Sequence, residues 1–387
     1  MTRSADNQTQ KAQGLFGTPG SGPGPEAVPR ISVCITTRDR HGPLDACLES
    51  LVNQIDAPSF ELLVCCQGNQ ADAEIVRRRF PDATVGLVDN AYPGGARNFL
   101  VDRARGELLL FLDDDVTFTN DLLSNLIALA DRNRETSVFG GPNLTPPGST
   151  TFQSVQGAIL GSIVATGPVR RRYGQHPGGR ADERFFTLCN MAVRRNAMVP
   201  FPHGMSCAEE NAVLATLASG KAPMLYDPNL AVYHERRPSY RQFARQMNKY
   251  GKGRGELIVR NPRSCRPAHL APLGLLVWLL SLPLLARLWS RWWLLSLVAY
   301  GVALVAGGMA VANSMGHSSY VKRLAVIRLS ASLTATVHFC YAVGVISGVV
   351  IRPPVPASKW EEIPVSNAVE PPGAASLSAP ESPTLRR

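Results

Sequence analysis

The chain lacks the spacings that announce a metal ribbon or a disulfide scaffold. Its eight cysteines (34, 47, 65, 66, 189, 207, 265 and 340) are scattered over 387 residues, with no Cys-x-x-Cys and no Cys-x-x-His. That distribution argues against a zinc ribbon and a disulfide-dense secreted domain, and predicts reduced thiols. No secretory leader is expected either, because Met1 to Pro29 is polar and has no apolar core of the required length. Acidic residues are too few to balance the basic ones. Forty Lys and Arg against thirty Asp and Glu leave a formal charge of +10, which suits an anionic partner: a nucleotide, a nucleic acid or the inner face of a membrane. Nucleic acid is the weakest of these, since the basic residues concentrate beside apolar segments rather than among aromatics on a sheet face. With 45% apolar residues the chain can bury a sizeable core, which excludes disorder over its whole length.

Charge is also missing from three long stretches. Residues 268–286, 292–313 and 329–351 contain no Asp, Glu, Lys or Arg, and about 20 such residues suffice to cross a bilayer. Buried core helices are the plainer reading, but three in succession would need a very large soluble core. Trp289, Trp292 and Trp293 stand at the junction of the first two stretches, where interfacial aromatics are expected. Arg260, Arg263 and Arg266 precede the first; Lys322, Arg323 and Arg328 precede the third. By the positive-inside rule these place the large N-terminal part in the cytoplasm, and three crossings would leave the tail outside. His338 inside the third stretch reads as a packed, hydrogen-bonded side chain. Residues 1–29 and 352–387, rich in small and polar residues and proline, are expected to be disordered arms.

Between them, residues 30–262 alternate strand-like and helix-like runs. Ile31–Thr36, Phe60–Cys66, Thr84–Asp89 and Glu107–Leu112 read as strands. Leu44, Cys47, Leu48, Leu51, Val52 and Ile55 recur at helical spacing, and Gly94-Gly95 opens a further helix. Such alternation with short links predicts an α/β domain with a mostly parallel sheet, whose ligands bind beyond the carboxyl ends of the strands. The polar residues cluster there: Thr36 to Asp39, Gln67 to Asn69, Asn90 to Asn98 and Asp113 to Asp115.

Four features carry candidate chemistry. Leu108–Leu112 runs into Asp113-Asp114-Asp115; three adjacent carboxylates repel one another unless a cation neutralises them, and oxygen ligands suit Mg²⁺ or Mn²⁺. A solvated acidic turn is the plainer reading. Glu209-Glu210-Asn211 opens a helix; the helix dipole alone favours carboxylates there, while burial would tune one of them as a general base. His234 ends the apolar run Leu230–Tyr233 and is equally well a capped strand-end histidine or a third metal ligand. Finally, Arg236–Arg263 is basic and carries Arg241, Arg245, Lys249, Lys252 and Arg254; the interspersed Gly251, Gly253 and Gly255 predict a flexible basic loop able to hold a diphosphate. Arg97, just inside the helix opened by Gly94-Gly95, is placed to act similarly. Residues Pro142–Arg184 show no readable pattern.

These pieces, in this order, resemble the family 2 glycosyltransferases of the GT-A fold. The matching segments are Val33 to Asp39, Gly95-Ala96-Arg97-Asn98, Arg105-Gly106-Glu107 leading into Asp113-Asp114-Asp115, Cys189-Asn190-Met191-Ala192 and Glu209-Glu210-Asn211. The apolar stretches, with the His338-Phe-Cys-Tyr-Ala-Val-Gly ending, look like the succinoglycan or exopolysaccharide branch. The resemblance implies a GT-A domain followed by an α-helical membrane region. It implies donor nucleotide contacts from Thr36, Arg38, Asp39, Gln67, Arg97, Asp113 and Asp114, and a metal held by Asp113, Asp115 and His234. Catalysis would fall to Glu210 or Glu209, and diphosphate or acceptor contacts to Asn190, Arg245, Lys252 and Arg254. It implies a nucleotide-sugar donor and an inverting transfer to a lipid-linked or polysaccharide-precursor acceptor at the cytoplasmic face of the inner (plasma) membrane.

Two departures stand out. Cys66-Gln67-Gly68-Asn69 replaces the family's Asp-Asp-Gly-Ser, which leaves UDP, dTDP and GDP open. In Gln242-Phe-Ala-Arg245, the tryptophan of the family's QxxRW element is replaced by Gln246, which argues against a processive synthase. Two rivals remain. Asp113 followed by Asp115 and Thr117 also fits a haloacid-dehalogenase-like phosphotransferase, with Asp113 as nucleophile. The departures at Gln67 and at Glu210, which stands where the family's Glu-Asp motif has its aspartate, also fit a non-catalytic membrane-tethered scaffold.

Overall fold

The computed structural model describes residues 28–68, 70–88, 93–205, 207–316 and 319–351. Nearly all of the expected N-terminal arm, the whole expected tail, Asn69 and Asn90 lie outside the described residues. The first half builds a layered α/β domain. Strands β1 (Ile31–Thr37), β2 (Phe60–Gln67), β3 (Thr84–Val88) and β4 (Leu108–Asp113) alternate with helices α1 (His41–Val52), α2 (Gln70–Arg79) and α3 (Pro93–Arg103). All four strands are parallel, in the order β3-β2-β1-β4. Strands covered by helices on both faces need apolar residues in near-continuous runs, and Leu108–Leu112 is buried throughout.

The register sets Thr36 opposite both Cys65 and Asp113, so the ends of β1, β2 and β4 form one rim. After β4 the chain makes β5 (Val116–Phe118), α4 (Leu122–Arg132), β6 (Val138–Gly140) and β7 (Asn143–Leu144). The stretch without readable pattern then holds β7, α5 (Thr151–Leu160), α6 (Ile163–Thr166) and the two-residue strand β8 (Gly179–Arg180). Thr150 and Gln153 close α5 with a reciprocal capping box. Strand β9 (Met191–Arg194) runs antiparallel to β4 and β6, and β10 (Met224–Tyr226) pairs parallel to β6; α7 (Glu209–Ser219) lies between β9 and β10 in the chain. A small second sheet has β11 (Val232–His234) between β5 and β7. Its pairing sets His234 opposite Val116, one residue beyond the acidic triplet.

Four long helices follow: α8 (Tyr240–Arg260), α9 (Pro267–Leu288), α10 (Leu295–Ser314) and α11 (Tyr320–Val350). The segments 267–288, 291–314 and 320–350 are each long and apolar enough to cross a membrane. Lys322, Arg323 and Arg328 lie inside α11, not in a link before it. The expected flexible loop at Gly251, Gly253 and Gly255 is corrected: all three are buried within α8. Isolated glycine disfavours helix, but here the missing Cβ is what packing requires. A Cβ at Gly251 would collide with the Tyr341 carbonyl of α11, and one at Gly255 with the Val345 carbonyl. Gly344 and Gly348 answer from α11 by admitting the Asn248 and Lys252 carbonyls. Two backbones approach along a stripe of small residues, the arrangement that lets helices pack at close range. Tyr240 bonds Ser332 and Thr336, and Asn248 bonds the Cys340 carbonyl, so α8 runs alongside residues 332–348 of α11. His338 is fully partnered, by the Tyr300 hydroxyl at 3.0 Å and the Val164 carbonyl at 2.8 Å. All eight cysteines are free.

Candidate active site

The triplet at the end of β4 divides into three environments. Asp113 faces a cavity of about 300 Å³ that Arg97, Glu209, Glu210, His234 and Arg254 also line. Burial, opposed by the attraction of Arg97, raises its carboxyl above the ordinary range. Asp114 turns to Arg40, 3.2 Å away; burial, partly offset by that guanidinium, pushes its carboxyl up to about 7. Asp115 is sandwiched between Arg40 and His234, the latter at 3.0 Å. Burial alone would raise it, but the two partners outweigh burial and hold it below the usual carboxylate range.

Asp113, Asp115 and His234 each offer one ligand atom, and these atoms lie within 4.8 Å of one another. Two carboxylates and an imidazole form a donor set for a divalent cation. The Nε2 of His234 is the nitrogen that faces Asp115, at 3.0 Å, and its Nδ1 is buried without a hydrogen-bond partner. The donor set fits a bound divalent ion.

The two glutamates at the start of α7 have different surroundings. The helix begins after Ala208, whose φ of 60° is a left-handed conformation unusual for a residue with a Cβ. Helix α8 presses on this turn. Gly253 lets it approach the Cys207 carbonyl, and the Cys207 thiol donates to the Lys249 carbonyl at 2.9 Å. Glu209 is buried and ion-paired with Arg97, whose other nitrogen lies 3.5 Å from Asp113. Glu210 accepts from the Asn211 amide at 2.9 Å and has Arg172 at 3.9 Å. Burial first, and repulsion from Glu209 second, raise its carboxyl to about 7.

The other expected residues divide by position. Thr36, Arg38, Asp39 and Gln67 stand at adjoining strand ends on the β1–β2 side of the rim, outside that cavity's lining. Arg38 donates to Gln67 at 2.8 Å. The buried Asp72 accepts from the Asp39 backbone N–H at 3.0 Å and lies against His41, so it braces the turn after β1. Arg254 lines the cavity. Arg245 is exposed on the first turns of α8, and Lys252 lies on the side carried against α11. The Asn190 side chain is buried, lies outside that cavity's lining and donates from its amide to the Leu230 carbonyl, so it ties the β9 junction to the segment before β11. Lys249, named within the basic stretch, also lines the cavity. The sequence reading missed two groups. Arg40 sits one residue past a noted segment, and Arg172 lies in the unpatterned stretch and carried no local signal.

Residues 32–199 match the sequence model of Glycosyl transferase family 2. An uncharacterized protein, y4gI, of Sinorhizobium fredii is 31% identical over 115 residues, 28% of this chain; the match spans 12% of the length of that curated relative. Among solved structures, mannosyltransferase PcManGT from Pyrobaculum calidifontis aligns with a TM-score of 0.51 at 16% identity, covering 85% of this chain and 89% of that one. TarS 1–349 of S. aureus aligns at 0.42 and 16% identity, covering 82% and 90%. The family match runs through Asp113, Asp114 and Asp115 and so replaces the haloacid-dehalogenase-like alternative. With its parallel strands, acidic rim and reversed strand β9, the chain carries a glycosyl transferase family 2 domain of the GT-A fold.

Proposed function

We propose that the chain is a membrane-attached glycosyltransferase that moves a sugar, with inversion, from a nucleoside-diphosphate sugar to an acceptor hydroxyl, with Glu210 as the base. The observation that carries this reading is the shared cavity: Glu210, with its carboxyl near neutrality, faces the same space as Asp113, His234 and Arg97. A base poised near the working pH is what proton removal from a hydroxyl requires. Glu210 takes the acceptor proton. The acceptor oxygen then bonds to the anomeric carbon from the face opposite the leaving group. The bond from that carbon to the phosphate oxygen breaks, and its electron pair leaves with the nucleoside diphosphate. Asp113, Asp115 and His234 would hold a divalent cation, Mg²⁺ or Mn²⁺, which when bound would supply positive charge for that leaving group. Arg97, Lys249 and Arg254 line the cavity and add fixed positive charge of the same sense. The fold neighbour from Pyrobaculum was solved with GDP-Man and Mn²⁺, which supports a nucleotide-sugar donor here; UDP, dTDP and GDP all remain in the reading.

Attachment to the membrane rests on α9, α10 and the link between them, where Leu280, Trp289, Trp292 and Val302 are each more than three-fifths exposed. Helix α11 is different, because along residues 332–348 it carries α8 with Arg241, Arg245, Lys249, Lys252 and Arg254. Each charge drawn into hydrocarbon costs about 3 kcal/mol. We therefore read α9 and α10 as the membrane-contacting pair and the end of α11 as lying on the catalytic side, in place of the expected external tail. The positive residues around 260–266 support a cytoplasmic catalytic domain.

The direct test incubates the detergent-solubilised protein with UDP-, GDP- and dTDP-sugars and Mn²⁺ and follows release of the nucleoside diphosphate. Metal-dependent release that is lost in Glu210→Gln supports the reading. Nucleotide-sugar binding without turnover, whatever the acceptor, would return the chain to the scaffold alternative.

A further inference from the structure

Three side chains at the start of α7 close a hydrogen-bonded circuit. Arg172 ends the 3₁₀ turn Gly167–Arg172 and donates from Nη2 to Asn211 Oδ1 at 2.9 Å. Asn211 donates from Nδ2 to Glu210 Oε1 at 2.9 Å and to the Ala208 carbonyl at 3.3 Å. The circuit closes where Arg172 Nη1 lies 3.9 Å from that same Glu210 Oε1. Arg172 is itself pinned, because it also donates to the Arg184 carbonyl at 3.0 Å and the Glu183 carbonyl at 3.2 Å. The Arg172 and Glu210 side chains are only 10% and 12% exposed, so water does not compete freely for these bonds.

The chemistry of the partners fixes the direction of the circuit. A guanidinium can only donate, so Asn211 must turn its oxygen to Arg172. Its amide nitrogen is then left for Glu210 and for the Ala208 carbonyl, and the side chain has one orientation. Consecutive side chains on a helix do not ordinarily face each other. Here Arg172, reaching Asn211 across 39 positions, holds the amide back over the first turn of α7 and onto Glu210. The carboxylate gains from that hold. A glutamate has one more rotatable bond than the aspartate of the family's motif, and so more freedom to lose before its oxygens are aimed.

We propose that Asn211 and Arg172 are positioning residues for the base: they hold Glu210 by Oε1, so that Oε2 receives the proton of the acceptor hydroxyl. This rests on the reading of Glu210 as the base, and adds which oxygen acts and what aims it. The hydroxyl O–H bond breaks, its proton passes to Oε2, and its electron pair stays on the acceptor oxygen to form the bond to the anomeric carbon. Asn211 and Arg172 exchange no proton. A staple that merely joined α7 to residues 183 and 184 would use the oxygen of Asn211 and have no need of its nitrogen, which separates the two roles experimentally.

Infrared spectra of the full chain in phosphatidylcholine nanodiscs read the contact without turnover. At a pH below the Glu210 midpoint of about 7, the protonated carboxyl band of Glu210 is identified by its absence from Glu210→Gln. A C=O group relieved of a hydrogen bond stretches at higher wavenumber, so Asn211→Leu and Asn211→Ala should each move the band upward. An unmoved band overturns the proposal. Turnover gives the second readout, as Mn²⁺-dependent release of nucleoside diphosphate from GDP-mannose, UDP-glucose and dTDP-glucose. Asn211→Asp keeps the oxygen that Arg172 needs and loses the donor to Glu210; Arg172→Lys keeps the charge and loses the fork. Each should lower kcat about 100-fold while KM for the nucleotide sugar stays within about twofold. Unchanged kcat with a lower thermal midpoint makes the circuit a staple and overturns the proposal, as does a raised KM at unchanged kcat. Failure is separable from failure of the catalytic reading. Turnover abolished by Glu210→Gln but kept by Asn211→Asp and Arg172→Lys sinks this proposal alone. Turnover kept by Glu210→Gln, with the infrared band displaced as expected, sinks the base assignment and leaves the circuit standing.

Discussion

Arg97 and Glu209 form a buried ion pair, with the two side chains 10% and 4% exposed. The pair commits an oxygen of Glu209 to a cation, whereas Glu210, beside it on the same cavity, has the Arg172 guanidinium no nearer than 3.9 Å. Glu210→Gln should therefore lower turnover about 10²–10⁴-fold with little change in thermal stability. Glu209→Gln should act in the opposite proportion. It strands a buried guanidinium, at a cost of about 3–5 kcal/mol, visible as a lower midpoint in a thermal melt. Equal loss of turnover without destabilisation in both variants would mean that the base has been misassigned.

The pH dependence follows from the raised carboxyl of Glu210. A base must be deprotonated to act, so turnover should rise with pH along an acid limb centred near 7. In the unfolded chain the same group ionises near 4.5. Between those values the folded protein holds a proton that the unfolded chain has released, so this group's contribution to stability falls as pH rises from 4.5 through 7. Glu210→Gln should flatten that part of a stability–pH curve measured by denaturant titration.

Arg40 occupies the electrostatic role that a cation would share. It pairs with Asp114 and Asp115 beside the Asp113–Asp115–His234 cluster. Arg40→Ala removes a positive charge from the neighbourhood and should tighten Mn²⁺ binding while lowering the stability of the metal-free protein. His234→Ala should weaken Mn²⁺ binding. Electron paramagnetic resonance of free Mn²⁺ measures both affinities, and Arg40→Ala binding Mn²⁺ more weakly than the unaltered chain would contradict the arrangement.

The glycine stripe of α8 is a packing device, so its disruption should be felt in stability. Gly255→Ala forces a Cβ into the Val345 carbonyl, which no side-chain rotation can relieve. Overpacking of this kind costs about 1–3 kcal/mol. Gly274→Ala, where nothing lies within 4 Å, is the matched control and should be neutral or better. Unfolding in detergent, followed by Trp fluorescence, distinguishes the two.

The packing of α8 along α11 also fixes an expectation about sidedness. A cysteine introduced near residue 360, in a background lacking Cys265 and Cys340, should react with an impermeant maleimide only in inverted vesicles, on the same side as the catalytic domain. Labelling in right-side-out vesicles would restore the topology with three crossings.

The sequence by itself left α2 unread and determined the four strands through β4, helices α1 and α3, the acidic rim and the family resemblance. These depend on local periodicity and on residue types delivered to strand ends, and both are written within a few positions of one another. It also marked three apolar segments, because length and composition are local properties. Tertiary structure alone decided which glutamate Arg97 engages, because Arg97 reaches Glu209 across 112 positions. It decided that Arg40 guards the triplet, across 75 positions. It turned three glycines, whose intrinsic preference is against helix, into the contact face of α8, because only the partner backbone of α11 gives the missing Cβ a purpose. The grouping of Arg172, Arg184 and Arg254 around one cavity was invisible for the same reason: they stand in three separate segments, and only the folded chain brings them together.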